Sequence, residues 1–161
     1  MRYDTKLLVK VPTMFGQIAA MQGYWSQEAY LWSLQDHASR DAFLTRAMDM
    51  HRLIGCMTTV PVTSYTPVID RRAAIETETG VSLESCVVRS TIHVREGYGG
   101  QGIGSQVDRL GRDHAVGLGF THSLCWGYAT PQVFSWLSSQ TGAQILTVTD
   151  HNDQPFVLTP L

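Results

Sequence analysis

The chain has 161 residues and a net charge of −2, a size that suits one domain burying about 70% of its unfolded surface. That charge leaves no electrostatic footprint for nucleic acid, and no run of about 18 apolar residues offers a membrane span. The charged opening "MRYDTKLLVK" lacks the apolar block of a signal peptide, so a cytoplasmic location is expected.

In chain order, Asp4–Val11 reads as an opening strand stopped by Pro12. Thr13–Gln22 places Met14, Ile18 and Met21 at helical spacing. A second helix is expected over Ser26–His37, with Ser26 as its cap and Glu28 in its first turn. "DAFLTRAMDMHRLIGCMTTVPVT" reads as two strands meeting near Asp49–His51. Ser64–Gly80 carries prolines, mixed charge and no sustained period, and is expected to be a loop with at most a helical turn over Arg71–Glu76. Leu83–Val94 is the clearest strand: Val88, Ser90, Ile92 and Val94 share one face, and Val87, Arg89, Thr91 and His93 the other. Ile103, Val107, Leu110, His114 and Leu118 then make a helical stripe ended by Gly117 and Gly119, with His114 expected in the core. Phe120–Tyr128 is strand-like, Pro131–Gln140 helical with Pro131 at its first position, and Ile145–Thr149 with Phe156–Leu158 a closing hairpin. The fold class is α/β (α+β): one domain over residues 1–161, with a central mixed, mostly antiparallel sheet flanked by helices.

Three cysteines, odd in number and outside any CxxC pattern, are expected to be buried thiols of a reducing compartment. The six histidines form no HExxH or other close pair, so no metal site is expected. Charged residues make up 16% of the chain, against about 25% in an average protein. With four tryptophans, this points to surface covered by a second copy or another protein.

The chemistry concentrates in "STIHVREGYGGQGIGSQVDRL", residues Ser90–Leu110. A strand ends at Val94, five glycines follow between Gly97 and Gly104, and a helix begins near Gly102. Such a turn exposes successive backbone N–H groups, the first-turn amides of the helix have no intrahelical partner, and the macrodipole adds about half a positive charge. Glycine lets phosphate oxygens reach the backbone, and Ser105 adds a hydroxyl donor. Gly97-x-Gly99-x-x-Gly102 fits the dinucleotide pattern, but the acidic residue expected about 20 positions on is missing from "THSLCWGYAT". No Gly-Lys-Ser/Thr of a P-loop is present.

The stretch resembles the acetyl-CoA-binding motif of the GNAT acetyltransferase superfamily, with Gly102, Ile103, Gly104 and Ser105 at its most characteristic positions and Tyr98 where an aromatic is common. The resemblance covers about Leu83 to Ala143, and "PQVFSWLSSQTGA" is similar to the family's last helix. It implies an N-acetyltransferase that moves an acetyl group from acetyl-CoA to a primary amine, on a small molecule or a protein, by direct attack on the thioester. The diphosphate of CoA would rest on the amides of Gln101–Ser105 and the pantetheine along Ile92–Val94. A main-chain N–H near that strand end would polarise the carbonyl.

Against the family pattern, Gly99 stands where Gln or Arg is usual, Thr130 and Pro131 where the last helix often begins with Asn, and Ser138 where a tyrosine often protonates the departing thiolate. A positioned acid is worth about 10²–10⁴ in rate; Tyr128 is the first substitute, with His122 behind it. For the base, His93, Glu84 and Glu96 are candidates. Glu84 and His93 have opposite strand parity, and His93 is favoured because an ordinary imidazole pKa near 6.5 suits proton transfer at neutral pH. The missing residues leave a second reading open, a GNAT-fold binding or structural module. The tail "WLSSQTGAQILTVTDHNDQPFVLTPL" resembles short GNAT-like proteins carried in virions of short-tailed bacteriophages, which implies a virion-associated location for that reading.

Overall fold

A computed structural model describes residues 1–23, 26–64, 66–127 and 130–161. Strands are β1 (Arg2–Leu7), β2 (Phe43–Asp49), β3 (Arg52–Pro61), β4 (Cys86–Val94), β5 (His122–Cys125), β6 (Gln144–Thr149) and β7 (Pro155–Pro160). Helices are α1 (Phe15–Met21), α2 (Gln27–Ala38), α3 (Thr66–Ile69), α4 (Arg72–Thr79), α5 (Ile103–Gly117) and α6 (Pro131–Ser138). The strand order is β1-β2-β3-β4-β5-β7-β6. The β1–β2, β2–β3, β5–β7 and β6–β7 pairs are antiparallel and β4–β5 is parallel, the mixed, mostly antiparallel sheet expected. The chain forms two compact units, Met1–Val60 with Ser90–His114, and Pro61–Arg89 with Ala115–Leu161.

In the first unit β2 and β3 are buried almost without interruption, because apolar residues and threonines, with the paired Arg46, occupy both of their faces. They meet at Met50, whose φ of 50° turns the hairpin where the sequence placed it. β1 is shorter than expected: Leu8 leaves the strand to be fully buried, its N–H donates to Ala42 O at 2.9 Å, and Leu8–Lys10 coils into a 3₁₀ turn. Asp4 and Arg46 face each other across β1–β2, with Arg46 donating through Nε at 2.5 Å and a terminal nitrogen at 3.0 Å. Those hydrogen bonds hold the Asp4 carboxyl below its usual pKa. α2 begins as expected, Ser26 Oγ accepting from Ala29 N–H at 3.2 Å.

α5 corrects the expected stripe. Ile103, Val107, Gly111 and Ala115 are its buried residues, whereas His114 and Leu118 are exposed. The helix lies so close to the sheet that small residues occupy the inner face: a Cβ at Gly111 would collide with Met57 Cε and stand 3.2 Å from Thr45 Oγ1. His114 instead packs edge-on against Phe43, ring centroids 4.8 Å apart.

In the second unit the expected loop over Ser64–Gly80 is overturned. α3 and α4 occupy most of it, and Gly80 ends α4 in the left-handed region at φ 69°. One apolar side chain, Ile75, is buried from α4. The helix is held by Arg72–Glu76 and by Glu78, whose carboxylate accepts from Thr147 N–H at 2.7 Å, Thr147 Oγ1 at 3.0 Å and Val148 N–H at 3.2 Å. These amides lie where the β6–β7 register shifts between Ile145 and Thr149, so Glu78 satisfies a bulge on an edge strand. Leu83–Ser85 is a 3₁₀ turn and β4 starts only at Cys86, while β5 is confined to His122–Cys125 rather than Phe120–Tyr128. α6 follows its sequence signals, with Thr130 Oγ1 accepting from Val133 N–H at 3.3 Å and Pro131 at the first position. Cys56, Cys86 and Cys125 are all buried, as expected.

Candidate functional site

The glycine-rich turn connects the end of β4 to α5 within the first unit. Tyr98 N–H donates to Arg95 O at 3.0 Å, closing the first bend. Gly100 and Gly102 have φ of 75° and 76°, a region that side chains with a Cβ enter only with strain. No heavy atom beyond the chain neighbours lies within 4 Å of where a Cβ would stand at Gly97, Gly99, Gly100 or Gly102. The turn therefore has open sides. Gly102 O accepts from Gln106 N–H at 3.0 Å, which makes Gly102 the cap and Ile103, Gly104 and Ser105 the first three helical residues. Their amides point out of the helix mouth. Gln101, Gly102 and Ser105 are exposed, and the first turn carries no acidic residue.

Two of the motif residues act inward. Ile103 is 3% exposed and packs with Ala47, Ile54, Met57 and Val107, so its contribution to a ligand is its N–H. A Cβ at Gly104 would stand 3.4 Å from Val94 Cγ2 and 3.5 Å from Ile92 Cγ2. The bareness of Gly104 thus faces β4, and not the open side of the turn as the phosphate argument supposed.

At the strand end, Arg95 N–H donates to Ile54 O at 2.7 Å and Arg95 Nε to Leu53 O at 2.8 Å. Arg95 N–H is thereby committed to β3. Successive peptide groups of a strand point to opposite edges, so the N–H groups of Ile92 and Val94 point away from β3.

The histidine singled out as a base sits in a different setting from the one assumed. His93 is 6% exposed, its Nε2 is 2.9 Å from Tyr30 Oη, and the two rings meet edge-on with centroids 5.6 Å apart. Burial lowers its pKa to about 4, which overturns the expectation of an imidazole titrating near neutrality. Glu84 stands in the 3₁₀ turn before β4 begins, exposed and 3.5 Å from Arg72, whereas His93 is next to that strand's last residue. Glu96 is exposed in the glycine turn. Tyr128 lies outside the described residues. His122 is half-buried, with Thr121 Oγ1 2.8 Å from Nδ1 and its pKa lowered by burial. Ser138 Oγ donates to Phe134 O at 2.8 Å within its own helix, so this hydroxyl is turned into α6.

Sequence reasoning missed Tyr30, which is 63 positions from His93 and read only as part of a helix. It missed Gly55, a lone glycine inside β3, although such a residue signals a close backbone approach. It also missed the cluster around buried Arg89 in the second unit, which donates to Gln140 Oε1 at 2.8 Å and lies 6.0 Å from the centre of the Trp136 ring. Among the described residues no helix is long and apolar enough to cross a membrane.

No protein-family model matches the sequence, and no curated protein matches it. Solved structures do match the fold. The ribosomal-protein-S18-alanine N-acetyltransferase of Escherichia coli superposes with a TM-score of 0.62 at 11% identity, over 99% of this chain and 94% of that one. A Desulfovibrio desulfuricans protein described as a GNAT-family acetyltransferase gives 0.64 at 10% identity, over 99% and 98%. The PaiA N-acetyltransferase of Thermoplasma acidophilum, solved in complex with coenzyme A, gives 0.60 at 9% identity over the whole of both chains.

Proposed function

The chain has the GNAT fold, and from that premise we propose that it is an acyl-CoA N-acyltransferase, with acetyl-CoA as donor and a primary amine as acceptor. The observation that carries the reading is the open-sided glycine turn delivering the bare first-turn amides of α5 beside the end of β4. Coenzyme A in a structural neighbour of the same fold supports it. A diphosphate would be held by the N–H groups of Gln101–Ser105, where donors and helix dipole both favour a dianion. The acyl arm would follow the Ile92–Val94 edge, with the Val94 N–H, free of β3, as donor to the carbonyl oxygen as charge builds there.

In this reading the amine nitrogen attacks the thioester carbon, the C–S bond breaks, and CoA leaves as thiolate or, once protonated, thiol. Tyr128 is assigned that proton; His122 is not a substitute, because it pairs with Cys86 at the start of β4, eight residues before Val94. His93 is not the base at neutral pH: an ammonium near pKa 10 would hand its proton to a group near pKa 4 uphill by about six powers of ten. The acceptor is therefore taken up as the free amine, and the Tyr30–His93 pair is a neutral, hydrogen-bonded wall. Titration of the pure protein with acetyl-CoA, followed by thiol release with a panel of amines, tests the reading. Saturable binding with turnover supports it, and no binding at millimolar donor overturns it. Saturable binding without turnover would favour the second reading, a GNAT-fold binding module, to which the inward hydroxyl of Ser138 lends weight.

A further inference from the structure

β3 carries a bulge where the β2–β3 register passes from Ala47–Gly55 to Met48–Leu53, leaving Ile54 as the extra residue. Gly55 follows it. A Cβ on Gly55 would stand 2.7 Å from Ile103 Cγ2, 3.4 Å from His93 O and 3.8 Å from Ala47 Cβ. The first distance is about 1 Å inside ordinary carbon–carbon contact. Ile103 cannot swing the methyl away, since a β-branched side chain in a helix is nearly confined to one χ1 rotamer and this one is packed among Ala47, Ile54 and Met57. The other close neighbour is strand backbone, which yields less.

We propose that Gly55 is a positioning residue for the donor site. Its bare face lets Ile103, the first residue of α5, settle on the sheet, and this sets the height at which the amides of Ile103, Gly104 and Ser105 present themselves. The inference rests on the acyl-donor reading above. With alanine at 55 the start of α5 must rise, and amides placed to donate at about 2.7–3.2 Å lose that geometry after a displacement of well under 1 Å. The effect is specific to the part of the ligand those amides hold, the diphosphate. The pantetheine edge of β4 meets the milder contact, His93 O at 3.4 Å from the new Cβ against 2.7 Å for Ile103, and is tied to β3 through Arg95 N–H and Ile54 O.

Gly111 supplies the matched control. A Cβ there also meets close neighbours, the movable terminal methyl of Met57 and Thr45 Oγ1, but about 12 Å further along the same helix. The experiment measures Kd for CoA and for S-acetylpantetheine, which lacks the diphosphate, on wild type, Gly55→Ala, Gly111→Ala and Gly55→Ala/Ile103→Ala, with thermal unfolding of each. Gly55→Ala is expected to weaken CoA by about ten-fold or more, the loss of one charge-assisted hydrogen bond, and to leave S-acetylpantetheine within about two-fold. Gly111→Ala lowers Tm without changing the ratio of the two constants. The double variant, which removes the colliding methyl, recovers the wild-type ratio, and this arm decides the matter if Gly55→Ala alone does not fold. Equal weakening of both ligands, or an unchanged CoA constant, overturns the positioning role while wild type still binds CoA. Wild type binding no CoA overturns the donor-site reading itself.

Discussion

Replacing Ser105 by glutamate separates the stability of α5 from its use as an anion site. Ser105 is exposed and third in a helix whose first turn has no acid. A glutamate there interacts favourably with the dipole, by about 0.3–1 kcal/mol, and from this position its carboxylate reaches back to the cap amide, here that of Gly102. The folded protein should gain stability, with Tm raised by a few degrees at most. For a diphosphate the same carboxylate is a competitor. It occupies an amide the ligand needs and sets a negative charge roughly 5 Å from two others, a repulsion of about 1.7 kcal/mol with bulk-water screening, or about 17-fold in Kd. Calorimetric titration with CoA at low salt should show at least that loss, shrinking as added salt shortens the screening length. Ser105→Gln, of the same size without the charge, should stay within a few-fold of wild type. If Ser105→Glu raised Tm and bound CoA as wild type does, the diphosphate would not be at the mouth of α5, and the reasoning from glycines to donor would fail.

The remaining predictions concern titrating groups. His93 is buried neutral with a pKa near 4 against about 6.5 unfolded, so its contribution is fully present above pH 6.5 and is lost as pH falls toward 4, by about 3 kcal/mol; urea unfolding of His93→Gln against wild type across pH 7 to 4 should show a shallower fall for the variant. Glu78 has a lowered pKa because the backbone N–H of Thr147 leads the donors that hold its charged form. Its stabilising effect is therefore present above the usual carboxylate pKa and disappears as acid protonates it, and Glu78→Gln should lower Tm at pH 7 more than at pH 3. With His93 excluded as the base, log kcat/KM for an alkylamine should climb with unit slope from pH 6.5 to 9; a plateau above pH 7 would restore a histidine-like base and contradict the free-amine reading.

The motif region was legible because its signals are local. A β-branched run at period two, glycines at the cap and an amphipathic run are each readable within about twenty residues, and β4, the glycine turn and α5 followed. What failed depends on partners far along the chain. α4 has one buried apolar residue, Ile75, and is secured by Glu78 reaching a bulge 69 and 70 positions away; no periodicity announces such a helix. His93 looked like a neutral-pH base because its residue type carries an ordinary pKa, whereas burial lowers that pKa and its hydrogen-bond partner Tyr30 comes from α2, far along the chain.

The error on α5 is the most instructive, since the helix was right and its orientation wrong. Ile103 and Val107 are buried as expected, but the inner face continues through Gly111 and Ala115 instead of Leu110, His114 and Leu118, a divergence of about 100° around the axis. Hydrophobicity selects the larger residues; close approach to a sheet selects the smaller ones, because helix and strand backbones near together leave no room for a leucine. Where Gly111 meets Met57 and Gly55 meets Ile103, missing side chains on β3 and α5 alternate with large ones on the other element. Two glycines in different elements, each opposite a bulky partner, thus fix how deeply the helix sits. That depth is what places the unpaired first-turn amides of α5 at the end of β4, and a reading based on the glycine cluster alone could not supply it.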